Sequence, residues 1–329
     1  MSDLRNRRVL VTGATGFIGA NLVRRLLAEG AQVHAFRRAT SNLWRLREIQ
    51  DQIALHECNL NDFAAVEKAV KEARPEVIYH LAAAPGHPAN AAARLEMLRT
   101  STQGTAHLLE AIAHLDFHRF VLGGSSLAYG PHPEPLRETD RLEPGTFRGM
   151  AKAVETLICQ EFARRRNRPL VILPFFSVYG CWEAPARLIP TLILRAQHNR
   201  PIELTGPGAR RDFIFVEDVV EACLAATHAD LPPGEIINVG TGRQWSNLDV
   251  LEAIQALTGK TLEVRHGAFP PRPADTDFWV ADTEKAQTLL GWQARFALQE
   301  GIKKSWEWFA QHQEEYDALP VGAPTPAPR

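Results

Sequence analysis

Residues 9–19 read VLVTGATGFIG, an apolar run that leads into three glycines with the spacing GxxGxxG. Gly13 permits a tight turn after a strand, Gly16 lets the backbone approach a pyrophosphate, and Gly19 lets the next helix pack close to the sheet. The free N–H groups at the start of that helix suit an anion. A plain tight turn is the alternative, and the strand–turn–helix context argues against it. The predicted dinucleotide contacts in this loop are Gly13, Thr15, Gly16, Phe17, Ile18 and Gly19.

Strand and helix patterns alternate from this loop to residue 173. Apolar runs predict strands at residues 8–12, 32–36, 53–56, 77–80, 119–122 and 170–173. Helical spacing predicts helices at residues 17–29, 62–73, 100–115 and 149–166. Such alternation is typical of a parallel sheet with helices on both faces. We therefore predict an α/β fold, a Rossmann doubly wound parallel sheet with a smaller C-terminal substrate-binding lobe.

The composition of the sequence and its strand–helix pattern change after residue 173, and the change suggests where the domain boundaries lie. Prolines and glycines interrupt residues 174–211 and 265–275, whereas residues 212–229 again read as strand and then helix. We predict a dinucleotide-binding domain of residues 1–173 plus about 212–240. The predicted substrate-binding lobe comprises residues 174–211 and 241–316. Residues 317–329, rich in proline and alanine, are predicted to be a disordered tail.

Composition narrows the functional classes. The chain has 329 residues, 45% of them hydrophobic, and a formal net charge of −1, which does not favour nucleic-acid binding. The four cysteines are far apart and form no CxxC pair, so we expect reduced thiols and no metal site. The sequence shows neither a secretory signal pattern nor an apolar run of membrane-spanning length. We predict a cytoplasmic protein without membrane contact.

The end of the second predicted strand bears on the choice of cofactor. An NAD-binding domain usually places an acidic residue there for the ribose 2′-hydroxyl, whereas a 2′-phosphate requires a cation. This chain has Arg37 and Arg38 at that point, and guanidinium groups pair well with phosphate. A solvated basic turn is the alternative. We predict NADP(H) rather than NAD(H).

Several further motifs, in order along the chain, carry a resemblance to a known family. They are NLND at 59–62, HLAA at 80–83, SSLAYG at 125–130, SVYG at 177–180, RDFI at 211–214 and RPAD at 272–275. Together with the glycine loop, they resemble the extended short-chain dehydrogenase/reductase family of sugar-nucleotide epimerases, dehydratases and reductases. The resemblance implies further cofactor contacts from Asn59, Leu60, Leu81, Ala82, Ala83 and Lys152.

Catalysis in that family uses a serine or threonine, a tyrosine and a lysine. Ser125 matches the serine and Lys152 matches the lysine, but the tyrosine position, four residues before the lysine, is Arg148. A guanidinium is a poor proton shuttle, although it can hold a developing alkoxide or bind an anionic group. Arg148 is alternatively the mark of a protein that binds cofactor and ligand without turnover. Tyr129 and His87 are possible substitute acids, or else a packed aromatic and part of a Pro/Gly-rich loop.

The reaction can be narrowed by residue type. Sugar 4,6-dehydratases of this family carry an Asp-Glu pair after the catalytic threonine, where this chain has Ser126 and Leu127. An epimerase usually relies on retained NAD and the tyrosine. We therefore expect an NADPH-dependent ketoreductase of a keto-sugar nucleotide, such as an NDP-4-keto-6-deoxyhexose. The alternatives are an NDP-sugar 4-epimerase with retained NAD and a catalytically impaired nicotinamide-binding protein.

The resemblance also implies contacts to the substrate, a nucleotide-diphosphate sugar. Arg211 and Arg272 are expected at its diphosphate, although either could instead be a surface ion-pair partner. Ser126, Arg148 and His87 are the other candidate substrate-binding residues. A homodimer formed through the helices near 98–115 and 149–166 is expected from the same resemblance.

Overall fold

The computed structural model describes residues 4–84, 90–205, 209–259, 261–269 and 276–317. The strands in this part of the chain are β1 (Arg8–Thr12), β2 (Gln32–Arg37), β3 (Ala54–Glu57), β4 (Val77–His80), β5 (Arg119–Ser125), β6 (Leu170–Phe175), β7 (Ser177–Tyr179), β8 (Ile202–Thr205), β9 (Arg210–Arg211), β10 (Phe213–Phe215), β11 (Glu235–Ile236), β12 (Trp245–Ser246) and β13 (Val264–Phe269). The α-helices are α1 (Phe17–Ala28), α2 (Phe63–Ala73), α3 (Ala91–Arg99), α4 (Thr105–Ile112), α5 (Phe147–Arg166), α6 (Leu188–Gln197), α7 (Val216–His228), α8 (Asn247–Thr258), α9 (Glu284–Leu290), α10 (Leu298–Gln311) and α11 (Gln313–Asp317).

Seven of the described strands pair in parallel into one sheet, in the order β11-β6-β5-β4-β1-β2-β3. The chain builds outward from β1 to β3 on one side and from β4 toward β11 on the other, so the direction of winding reverses between β1 and β4. In sheets of this kind, ligands bind in the crevice at the carboxyl ends of the strands where the winding reverses. The predicted doubly wound Rossmann fold is confirmed, and it places this crevice between Thr12 and His80, which are paired in register.

Two hydrophobic layers bury the sheet on both faces. Val9 and Val11 belong to the layer that also contains residues of α1 and α7, whereas Leu10 faces the layer beneath α2, α4 and α5. Successive side chains of a strand point to opposite faces, so a strand covered on both sides must be apolar throughout. This requirement explains the nearly continuous burial of β1, β4, β5 and β6, whereas β2 and the edge strand β3 carry polar residues.

A separate hydrophobic cluster lies among α6, α8, α10 and β8, with Ile193, Ile254 and Phe309 among its buried members. Asp212, between β9 and β10, connects neighbouring segments because its buried carboxylate accepts hydrogen bonds from the backbone N–H groups of Thr241, Gly242 and Ala281. The predicted division into two domains stays a prediction.

One helix differs from the sequence prediction. The helix expected at residues 100–115 begins earlier, as α3, and passes through a π-helical turn at Thr100–Gly104 before α4. Asn90 caps α3 by accepting a hydrogen bond from the N–H of Ala93 at 2.9 Å. Its hydrophobic pattern is weak, because Leu95 is 60% exposed and Met97 is its buried residue. Periodicity alone therefore did not reveal it.

The four cysteines are unpaired, with Cys58, Cys159 and Cys223 buried and Cys181 half-buried. Within the described ranges, no helix combines the length and the hydropathy needed to cross a bilayer. The cytoplasmic location stays a prediction.

Candidate active site

The glycine loop between β1 and α1 is tightly enclosed by backbone. Gly13 has φ of +71°, and a Cβ there would lie 2.6 Å from the carbonyl oxygen of Leu81. A Cβ on Gly19 would overlap the carbonyl oxygen of Gly13. The sequence therefore needs glycine at both positions for α1 to start directly against the loop.

The N-terminus of α1 meets the requirements for an anion. Gly16 is its N-cap residue, and no side chain caps it in the described structure, so Phe17 and Ile18 open the helix without a competing acceptor. The carbonyl of Thr15 accepts a hydrogen bond from Arg45 at 3.4 Å, which ties the loop to the segment after β2. A close backbone cradle and an uncapped helix start are features that fit a dinucleotide pyrophosphate.

The carboxyl end of β2 carries the predicted basic turn. The guanidinium of Arg37 lies 3.1 Å from the carboxylate of Glu57 on the neighbouring strand, so its charge is partly balanced. Arg38 is exposed, and its backbone N–H donates to the hydroxyl of Ser41. Asn59 is exposed and lies directly beyond β3. Arg37 and Arg38 thus follow one another at the carboxyl end of β2, where a Rossmann fold recognises the adenosine ribose.

Ser125 and Lys152 lie on the elements that border the crevice. Ser125 ends β5, and its hydroxyl accepts a hydrogen bond from the N–H of Leu127 at 3.3 Å. Lys152 on α5 is 6% exposed; its ammonium donates to the carbonyl of Gly123 at 2.9 Å and lies 2.6 Å from the carboxylate of Glu155. An ammonium has three donors, so these two partners leave a third for a ligand.

Arg148 lies in the first turn of α5, four residues before Lys152, so both side chains project from one face. Thr146 caps this turn by accepting a hydrogen bond from the N–H of Gly149 at 3.0 Å. Burial lowers the pKa of the Arg148 guanidinium and the nearby charge of Arg187 lowers it further, whereas Glu155 raises it. Arg187 in turn lies 3.6 Å from the carboxylate of Glu183.

Some of the candidate substrate residues lie in the described part of the structure and others do not. Ser126 is buried and its hydroxyl accepts a hydrogen bond from the indole N–H of Trp279 at 3.0 Å, while Arg211 lies 5.6 Å from the ring of the same tryptophan. The structure thus brings Ser126 and Arg211 to one side chain that the sequence did not single out. His87 and Arg272 lie outside the described residues.

Tyr129, one of the possible substitute acids, occupies a structural setting. Its side chain is buried, and its hydroxyl donates to the side-chain oxygen of Asn238 at 2.9 Å. Burial raises the pKa of this phenol well above its ordinary value. A proton held so firmly is poorly placed for transfer to a ligand.

A group of buried polar residues behind Lys152 escaped the sequence interpretation. Thr12, His80, Thr105 and Glu155 are fully buried and linked by hydrogen bonds. One signal was available: Glu155 follows Lys152 by three residues on a helix, so the two side chains must be neighbours.

The chain is similar to known enzymes that act on nucleotide sugars. Residues 9–240 match the sequence profile of the NAD dependent epimerase/dehydratase family. A probable UDP-glucuronate 4-epimerase of Rhizobium meliloti is 26% identical over 93% of this chain and 97% of its own length. A dTDP-glucose 4,6-dehydratase of Xanthomonas campestris is 27% identical over 92% of this chain and 93% of its own.

A solved structure gives the same picture. The UDP-glucuronic acid 4-epimerase of Bacillus cereus, in complex with UDP-glucuronic acid and NAD, superposes with a TM-score of 0.83 at 26% identity. The match covers 92% of this chain and 99% of that one. The likeness therefore spans nearly the whole chain.

Proposed function

Because the chain belongs to the NAD dependent epimerase/dehydratase family, we propose that it is a nucleotide-sugar 4-epimerase that uses a nicotinamide dinucleotide catalytically. The observation that carries the proposal is that Ser125 lies at the carboxyl end of β5 and that Lys152 contacts the same strand at Gly123, with only β4 between β5 and the strand from which the glycine loop begins. The 4-epimerases similar over nearly the whole chain support this reaction above the reductase expected from the sequence.

The roles of the residues follow from their chemistry. A nicotinamide dinucleotide bound beside the glycine loop would supply reversible hydride transfer at a sugar carbon. We propose that Ser125 holds the reacting hydroxyl by a hydrogen bond and that the ammonium of Lys152, which is paired with Glu155, donates its third N–H to the same oxygen. Water takes up and returns the hydroxyl proton, since the tyrosine position is Arg148. The guanidinium of Arg148 then stabilises the developing negative charge on the sugar oxygen.

Dehydration is the reaction that the site supports least. Its acid–base pair would lie after Ser125, where Ser126 receives the indole N–H of Trp279 and Leu127 is apolar. A second candidate, an NADPH-dependent ketoreductase, is favoured by Arg37, Arg38 and Arg148. A reductase needs hydride delivery and charge stabilisation, and does not have to return the hydride to the opposite face.

Arg148 suggests the substrate class. Its guanidinium is partly buried on the face of α5 that carries Lys152, and a guanidinium pairs well with a substrate carboxylate. We therefore propose a nucleotide-linked hexuronate as the first substrate to test, with neutral hexoses as the comparison. Arg211 beside Trp279 is proposed for the diphosphate, and Ser126 for the sugar.

Product analysis with limiting cofactor tests this function. The protein is incubated with UDP-glucuronate, UDP-glucose and dTDP-glucose, each with dinucleotide at one-hundredth of the sugar concentration. An epimerase yields 4-epimer in large excess over dinucleotide, with no lasting change in reduced-nicotinamide absorbance. Stoichiometric oxidation of NADPH by 4-keto sugar nucleotides would instead establish the reductase.

The cofactor proposal yields a mutational prediction. NAD in the Bacillus cereus structure favours NAD, whereas Arg37 and Arg38 favour a 2′-phosphate; we propose that both dinucleotides bind and that NADP(H) binds more tightly. Replacing both arginines by alanine should weaken NADP binding by about 10–100-fold, because charge-assisted hydrogen bonds are lost, and change NAD binding by less than about threefold. Isothermal calorimetry measures both constants. Equal losses for the two dinucleotides would reject phosphate recognition by this turn.

Exposed apolar side chains on α3 and α5 form a candidate interface for the predicted homodimer. Leu157 and Met150, two turns apart on α5, are 55% and 38% exposed, and Leu95 on α3 is 60% exposed. We propose that these apolar side chains pack against a second copy. Leu157→Glu should therefore shift a dimer toward monomer in size-exclusion chromatography with light scattering, while Leu289→Glu, on the exposed surface of α9, should not. A parent protein that stays monomeric at about 100 µM would contradict the proposal.

A further inference from the structure

A line of hydrogen bonds runs through the protein interior from the glycine loop to Glu155, which forms an ion pair with Lys152. The hydroxyl of Thr12, next to Gly13, is 2.6 Å from Nδ1 of His80, and Nε2 of His80 is 3.0 Å from the hydroxyl of Thr105. The Thr105 hydroxyl donates to Glu155 at 3.2 Å, and the other carboxylate oxygen of Glu155 lies 2.6 Å from the ammonium of Lys152. The line crosses β1, β4, α4 and α5.

The donors along this line have one consistent direction. Thr12 accepts a hydrogen bond from the backbone N–H of Ala82 at 3.3 Å, which leaves its own proton for Nδ1 of His80. Burial, reinforced by the charge of Lys152, lowers the pKa of His80 to about 3, so the ring is neutral and its remaining proton is on Nε2. That proton is donated to Thr105, whose own proton goes to Glu155. Every dipole therefore points toward the carboxylate.

We infer that Glu155 is a positioning residue: one of its oxygens receives the Thr12–His80–Thr105 line, and the other pairs with the ammonium of Lys152 and fixes it at the crevice. A buried carboxylate without such donors would be strongly disfavoured, and a lysine with four flexible bonds would otherwise adopt many conformations. The inference rests on the proposed role of Lys152 in turnover. Glu155 is the residue that holds Lys152 in place. Through the hydrogen bonds to Thr12, it also connects Lys152 to the end of β1, where the glycine loop begins.

The line does not conduct protons to solvent. Thr12, His80, Thr105 and Glu155 each have zero solvent exposure, and the line ends at a backbone N–H. The charged or titratable groups that act on Glu155 are Lys152, Arg148 and Cys159 from its own helix and His80 from β4. Its action is therefore electrostatic and geometric.

A pH profile separates positioning from mere packing. Burial raises the pKa of Glu155, and the hydrogen bond from Thr105 opposes that rise. In Thr105→Val the bond is lost, so the pKa of Glu155 rises further and turnover should fail at a higher pH as the solution is acidified, by about half to one pH unit. Thr105→Ser keeps the hydroxyl and should keep the profile of the parent. Glu155→Gln should lower kcat by about 10–100-fold with KM for the sugar nucleotide within about threefold.

A measurement on the ligand-free protein decides the inference even if no turnover is found. Glu155→Gln and Lys152→Met should each lower the midpoint of thermal unfolding by roughly 4–7 °C, because each leaves a buried charge unpaired. The double variant should lie closer to the parent than the sum of the two losses. Additive losses would overturn the pairing, and Thr105→Ser behaving like Thr105→Val would overturn the role of the donor line. Absence of epimer with strong coupling would instead reject the proposed function alone.

Discussion

Lys152→Met is expected to lower kcat by about 10²–10³-fold, the usual cost of losing one donor that stabilises a developing negative charge. In this chain the loss cannot be covered by a tyrosine, since Arg148 occupies that position, and Tyr129 is committed to Asn238. The methionine has a similar length and stays in the buried channel beside Gly123, so the crevice keeps its shape. Steady-state product formation with limiting dinucleotide measures the effect.

The matched control is Lys303→Met, at a lysine whose side chain is 63% exposed on α10. It should change kcat by less than about twofold, because an exposed ion pair contributes little to the fold. A Lys152→Met variant that turns over within about threefold of the parent would mean that this lysine does not stabilise the reacting oxygen, and Arg148 alone would then have that role.

Gly19→Ala should weaken dinucleotide binding by about 10²-fold or more. The added methyl group would overlap the carbonyl oxygen of Gly13, so the start of α1 must move away from the loop that it serves. A displacement of about 1 Å is enough to spoil the alignment of N–H groups with a phosphate, and forced overpacking also destabilises the fold by about 1–3 kcal/mol. Fluorescence titration with reduced dinucleotide reports the binding loss.

Gly145→Ala provides the comparison for that variant. A Cβ at Gly145 would lie 3.6 Å from the nearest atom, Cδ of Pro131, which is ordinary van der Waals contact. Its dinucleotide affinity should match the parent's. Equal affinities for the Gly19→Ala and parent proteins would mean that the cofactor does not use the N-terminus of α1.

The fold could be predicted from local patterns because a sheet buried on both faces requires continuous apolar strands. The glycine loop could also be predicted, because a Cβ atom at Gly13 or Gly19 would clash with neighbouring backbone atoms and the sequence must therefore keep glycine at both positions. The start of α3 was not visible, because its exposed Leu95 breaks the amphipathic pattern.

The candidate site was only partly predictable, since most of it is assembled from distant parts of the chain. Ser125 and Lys152 could be found from motif spacing, but nothing local connects Thr12 with His80 and Thr105, which meet only when β1, β4 and α4 are packed. Trp279, which contacts Ser126 across 153 residues of sequence, is another such case. Function was harder still: Arg148 argued for reduction, whereas the similar proteins favour epimerisation.

Isotope tracing at the sugar carbon tests whether the same hydride leaves and returns during epimerisation. UDP-glucuronate carrying deuterium at C4 is incubated with the protein and limiting dinucleotide, and the product is examined by NMR and mass spectrometry. We expect a 4-epimer that retains its deuterium, because the hydride leaves and returns without exchange with solvent. A 4-epimer that has lost the label to water would contradict it.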